Sequence, residues 1–300
     1  PAAEQNAPIT AADAPSGTYT LSGNERRNLN EAEGGFGFGG KHAALANYTK
    51  NAGGNAPTDL TVDLAGHRLT LGMTSGKKQI ATVYAAEGKK LTIKDATGSS
   101  VLTLSANGTA APARTVEAIS AAKNATLNIE SHVQIDAVVS TEKQAHGVAA
   151  NDAKVTLKSL TIKGIRAIGD KGVGTNVYGI GIAKKANVTV AEDVNIEGVR
   201  GIGLYASTTA DGGAINIGGG KIVAETDPAH QKNYWAAYAA KGTITLNGGK
   251  NRKLNVVGNM FAGGTDSSYN GTVDASFTTA DSSWTGAMSR SGMGKASLTL

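Results

Sequence analysis

Three hundred residues with 40 Gly, 6 Pro, 5% aromatics and no cysteine exclude a thick aromatic core, disulfides and thiol chemistry. The net charge of +5 comes from bases interleaved with acids, not the dense basic face of a nucleic-acid reader. No run of about 20 apolar residues is present, so no segment reads as a membrane-spanning helix.

Residues 1 to 16 are rich in Ala, Pro and Asn and are expected to be loosely ordered, with PAAEQNAP as a mature end or a chosen boundary. Thr18 to Leu21 is the first possible strand. Glu31 to Gly40 ends in GGFGFGG, which lacks the Lys-Ser/Thr ending of a phosphate-binding loop and reads as a hinge or cap loop. Lys41 to Lys50, KHAALANYTK, suits a short helix closed by Gly53-Gly54. With the preceding loop it is the candidate cap for an otherwise sticky sheet edge. Residues 1–58 are therefore taken as an N-terminal segment and cap.

From Asp59 onward one pattern repeats. In KANVTVAEDVNIEGV, residues 185 to 199, Val188 and Val190 alternate with polar residues, then Val194 and Ile196 do the same after a corner. A period of two places the branched side chains on one face. Similar pairs stand at Val62/Leu64, Leu91/Ile93, Leu127/Ile129, Val155/Leu157, Ile215/Ile217, Ile244/Leu246, Val273/Ala275 and Leu298/Leu300, 25 to 36 residues apart. Each strand is too short to bury its face alone, so successive copies must cover one another. The predicted fold for residues 59–300 is an all-β, right-handed parallel β-helix (solenoid) of about nine coils, each hydrogen-bonded to its neighbours at roughly 4.8 Å. Ala85, Ala86, Ala149, Ala150, Ala183, Ala206, Ala239 and Ala240 precede the anchor strands and suit an inward column at a tight corner. An antiparallel sandwich is the alternative, because short strands with Gly-rich turns suit it too. Longer corners at 99–115, 168–177 and 226–234 are where loops would project, and loops on a rigid scaffold commonly bind.

Chemistry is sparse. His42, His67, His132, His146 and His230 lack metal-ligand spacing, no local nucleophile motif occurs, and the acids show no catalytic pairing. No cofactor, metal or catalytic residue is assigned. Two matched segments, 164–169 (GIRAIG) and 198–203 (GVRGIG), place Arg166 and Arg200 34 residues apart, while their anchors Leu157 and Val190 are 33 apart. The arginines should lie on adjacent coils, either contacting an anionic glycan or phosphate or neutralised by Asp170 or Glu197. Tyr84, Tyr205 and Tyr238 recur at a comparable place, with Tyr178 nearby, as a packing ladder or a sugar-stacking column. Arg166, Arg200, Tyr178 and Tyr205 are the candidate binding residues.

Residues 281 to 287, DSSWTGA, followed by 296 to 300, ASLTL, resemble the passenger domains of bacterial type V autotransporters, where such segments stand late in a β-helical stalk. The resemblance implies export, display on a Gram-negative-type cell surface through a C-terminal outer-membrane β-barrel, and a chain continuing past residue 300. The absence of cysteine also suits passage through an oxidising periplasm. No serine protease motif is visible, which leaves the adhesin branch. The expected function is a non-enzymatic surface adhesin or autoaggregation module binding host or bacterial glycans or proteins. A glycan-cleaving β-helix enzyme and a plain structural stalk are the alternatives, and fold alone does not choose among them.

Overall fold

A computed structural model describes residues 3–31, 36–51, 54–109, 115–142, 144–168, 176–225, 234–247 and 251–300. Those residues are all-β, with no α-helix and one 3-10 turn at Ala11–Asp13. The strands form a 17-stranded sheet and a 10-stranded sheet, plus a small hairpin of Tyr48–Asn51 with Gly54–Pro57. Within the two large sheets every pairing is parallel except that of Gly37–Phe38 with Lys41–Ala46.

Parallel pairing links strands that are a whole repeat apart in sequence. Leu157 pairs with Val190 and Val190 with Ile217, and the same column runs on through Leu246 and Ala275. These side chains point inward and are at most 2% exposed. Burying each such Val, Leu or Ile is worth roughly 1.5–3 kcal/mol, so a column of them offsets the ordering of many short strands. The second strand of each repeat follows suit: Ile135 pairs with Ile162, Ile162 with Ile196, Ile196 with Ile222 and Ile222 with Val256. In Thr126–Ser140, Lys154–Ile162 and Asn187–Ile196 the two strands join across a bend, marked by register shifts after Ile129, Leu157 and Val190.

The 10-stranded sheet is a third row, running from Lys41–Ala46 through Gln79–Ala85, Thr115–Ala121, Gln144–Asn151, Val177–Ala183, Ile202–Ala206, Trp235–Ala239 and Asn259–Ala262 to Met288–Arg290. Ala85, Ala121, Ala150, Ile182, Ala206, Ala239 and Ala262 form one buried column, which realises the small-residue corner for Ala85, Ala150, Ala206 and Ala239. Ala149 faces the other way, in register with Ser120 and Gly181.

Several expectations are corrected. At the two ends the repeat is offset by two residues: Leu91 and Ile93 pair with Leu60 and Val62, and Val273 and Ala275 pair with Ala296 and Leu298. Within the expected corner at 99–115, Val101–Gly108 is a strand paired on both sides, while 110–114 lie outside the described residues. The other two long corners fall mostly at 169–175 and 226–233, outside the described residues. Lys41–Ala46 is a strand and not a helix, because pairing with Ile80 to Tyr84 satisfies its backbone while burying Ala43, Ala44, Leu45 and Ala46 completely.

Residues 3–16 are held in place: Ile9 is fully buried, bridges Leu45 and takes a 2.8 Å bond from its N–H to the Ala44 carbonyl. Beside them Arg27 continues the inward column of Leu71 and Leu104. Its guanidinium donates to Glu25, to the Ala7 carbonyl at 2.7 Å and to the Tyr19 hydroxyl at 2.9 Å. A buried charge is tolerable only when so paired, and this one closes the apolar column. The described part of GGFGFGG is also regular. Phe38 is buried, and Gly39 has φ +54 with the Tyr48 hydroxyl where a Cβ would stand.

Candidate binding clefts

Two concave places carry the sequence-predicted residues, and they are separate. Tyr178 and Tyr205 line a cleft of about 410 Å³ on the outer face of the 10-stranded sheet. Arg166 and Arg200 line another of about 270 Å³.

The larger cleft arises from side-chain size along one column. Tyr84, Ser120, Ala149, Gly181, Tyr205, Tyr238 and Phe261 are in register on successive strands. The small residues Ser120 and Ala149 leave a floor. Tyr178 swings over Gly181, whose absent Cβ would lie 2.2 Å from that ring. The tyrosines pack on one another, Tyr178 to Tyr205 at 5.8 Å and Tyr205 to Tyr238 at 5.5 Å between ring centroids, with tilts of 43° and 45°. Tyr178 also stacks on His146 at 3.9 Å. Ring faces spent on neighbouring rings make this primarily a packing ladder, with edges and hydroxyls left for a ligand. Burial raises the Tyr178 phenol well above its ordinary pKa, with Glu117 and Tyr205 adding to it. Burial, then Tyr238 and Tyr269, raise Tyr205 to about 12. Both hydroxyls stay neutral donors at physiological pH.

Beside the ladder lies a buried cluster that the sequence reading missed. Glu117 accepts from Lys41 at 2.5 Å and lies 3.1 Å from His146 Nδ1. Burial works to raise the Glu117 pKa, but Lys41 foremost and then His146 hold it at about 2, so it stays ionised. The separation of 29 residues between Glu117 and His146 was available as a signal, being close to the repeat; Lys41, 76 residues away, offered none.

The smaller cleft is where the arginine spacing is realised. Ile165 and Val199 form a parallel bridge, with Arg200 N–H donating to the Ile165 carbonyl at 2.9 Å. Arg166 and Arg200 therefore follow on adjacent levels, both exposed. Glu197 does not neutralise them, because its carboxylate faces Lys221 at 3.4 Å; Asp170 lies outside the described residues. Among the described residues neither guanidinium has an acidic partner within ion-pair distance. Like charges on neighbouring levels of a parallel stack, whose strands lie about 4.8 Å apart, repel one another. Gly164, Gly198 and Glu225 form part of the lining. Gly198 has φ +68, and a side chain there would strike the Lys163 carbonyl.

The remaining histidines are accounted for locally or stand alone. His42 contacts Glu31, His132 bonds Ser159 at 2.8 Å, and His67 is half-buried; His230 lies outside the described residues. Among the described residues no group of three His, Asp or Glu could hold a metal. No family model, curated protein or solved structure matches this chain.

Proposed function

We propose that this chain is a surface adhesin or autoaggregation module of the autotransporter-passenger kind, carried on a Gram-negative-type cell. Its stacked strands are read as a right-handed parallel β-helix of about nine coils, with the N-terminal strands as cap. What carries the reading is the unbroken parallel register from Thr18–Thr20 to Lys295–Thr299, which repeats similar outer faces many times along one body. Weak contacts repeated on a rigid scaffold combine by multivalency, so modest individual sites suffice. The ladder and the two clefts supply such sites, with host or bacterial surface glycans or proteins as partners. Binding is favoured over polysaccharide cleavage because the buried acid of the larger cleft, Glu117, is already committed to Lys41 and His146. A general acid would need a proton that this carboxylate does not hold at neutral pH.

The test is attachment. Beads coated with the purified chain should cluster with one another or settle on bacterial or host cells at least tenfold more than albumin-coated beads. Beads that stay dispersed and unattached would remove the proposal, as would release of reducing or unsaturated sugar ends from a polysaccharide.

A further inference from the structure

The smaller cleft carries an inference of its own, which rests on the surface-binding reading and narrows the ligand. We infer that Arg166 and Arg200 form a subsite for an acidic sugar, a uronic-acid-type ring whose carboxylate sits between the two guanidinium groups while a ring hydroxyl donates to Glu225.

The charge arrangement argues for an anion. Backbone bonds in both directions, Ile165 N–H to Gly198 O and Arg200 N–H to Ile165 O, both 2.9 Å, fix the two arginines side by side. No described acid lies within ion-pair distance of either guanidinium. Guanidinium groups favour planar, bidentate oxyanions, and a carboxylate between two of them satisfies donors from both. On the preceding level Val139 stands in register with Arg166, so on that side the cationic stretch ends at Arg166.

The cleft also argues for more than a bare ion. Glu225 lines the same space and opposes the two charges of sulfate or phosphate more than the single charge of a carboxylate, and it can accept from a hydroxyl. At about 270 Å³ the space lies just under the roughly 300–1,000 Å³ of pockets for drug-sized ligands, which fits a single ring. Gly198, where the Lys163 carbonyl leaves no room for a side chain, keeps the wall low. One carboxylate with adjacent hydroxyls answers all three side chains.

The whole chain would be titrated calorimetrically with trigalacturonic acid, its fully methyl-esterified form and inorganic sulfate. The acid should bind at least tenfold more tightly than the ester or sulfate, and Arg166→Ala or Arg200→Ala should each weaken it about tenfold. Glu225→Gln should narrow the gap between the acid and sulfate. Because both arginines are exposed, thermal melts of the variants should match the parent. Equal binding of acid and ester, or a double variant that binds as well as the parent, would overturn the inference, and equal binding of sulfate would overturn the sugar assignment. Bead attachment, measured in parallel, separates the two claims. Attachment without acid-sugar binding sinks only this subsite; acid-sugar binding without attachment sinks the adhesin reading.

Discussion

Glu117 is the residue where burial and pairing oppose each other most directly. Desolvation would protonate it, and Lys41 with His146 prevents this, lowering the pKa from 4.5 to about 2. A carboxylate whose folded pKa is depressed stabilises the fold above its unfolded value, and that contribution is lost as pH falls through the folded value. The window is therefore pH 4.5 down to 2, and the size is on the order of 3 kcal/mol. Glu117→Gln should cost about 3 kcal/mol at pH 7, since it leaves Lys41 facing a neutral amide in a buried site. The variant should also lose stability less steeply than the parent between pH 4.5 and 2. Urea midpoints across that range measure both, and parallel acid limbs for the two proteins would refute the assignment. Among the site residues, the arginine pair was legible because its spacing matched the repeat. Glu225 stands one repeat after Val199, at the offset that pairs Ile196 with Ile222, so the repeat carried a signal for it that the motif search around the arginines did not use.

At the scale of the strand, a line of glycines in the third row repeats one close approach from level to level. A Cβ on Gly147 would lie 2.5 Å from the Gly179 carbonyl, one on Gly179 2.6 Å from the Gly203 carbonyl, and one on Gly203 2.7 Å from the Ala236 carbonyl. Backbone atoms held in a parallel ladder cannot give way as a flexible side chain can. Gly179→Ala should therefore destabilise by about 1–3 kcal/mol, whereas Gly23→Ala, with nothing within 4 Å, should change little. Chemical denaturation of the pair decides it; equal stabilities would mean that the third row is looser than the close approaches imply. Sequence pattern alone revealed the alternating strands, since Val, Ile and Leu at period two have few other solutions. It was less able to find the third row, whose Ala and Gly columns carry little hydrophobic signal, and it read Lys41 to Lys50 as a short helix closed by Gly53-Gly54. The end registers slipped by two because LTVDL at 60–64 and ASLTL at 296–300 each offer three alternating apolar positions. Hydrogen bonding to the neighbouring level, not periodicity, selects among them.

Across the whole molecule, stability should follow position along the stack. When each level contacts only its neighbours, the free energy is close to a sum of level and interface contributions, and a level covered on one side opens more easily. The two ends differ here. At one end Ile9 covers the third row, Gly37–Phe38 pairs the edge of Lys41–Ala46, and the Arg27–Glu25–Tyr19 network closes the inward column. At the other, Lys295–Thr299 pairs on one side only, and Met293, Leu298 and Leu300 are 63%, 37% and 83% exposed. Amide hydrogen exchange on this chain should thus be slowest in Thr126–Ser140, Lys154–Ile162 and Asn187–Ile196, whose inward residues are covered above and below. It should be fastest in Ser283–Thr285 and Lys295–Thr299, with Glu25–Asn30 and Lys41–Ala46 between, nearer the middle strands than the last ones. Uniform protection would mean that the stack opens as a single cooperative unit. Faster exchange at Glu25–Asn30 than at Lys295–Thr299 would mean that the buried Arg27 network does not close that end.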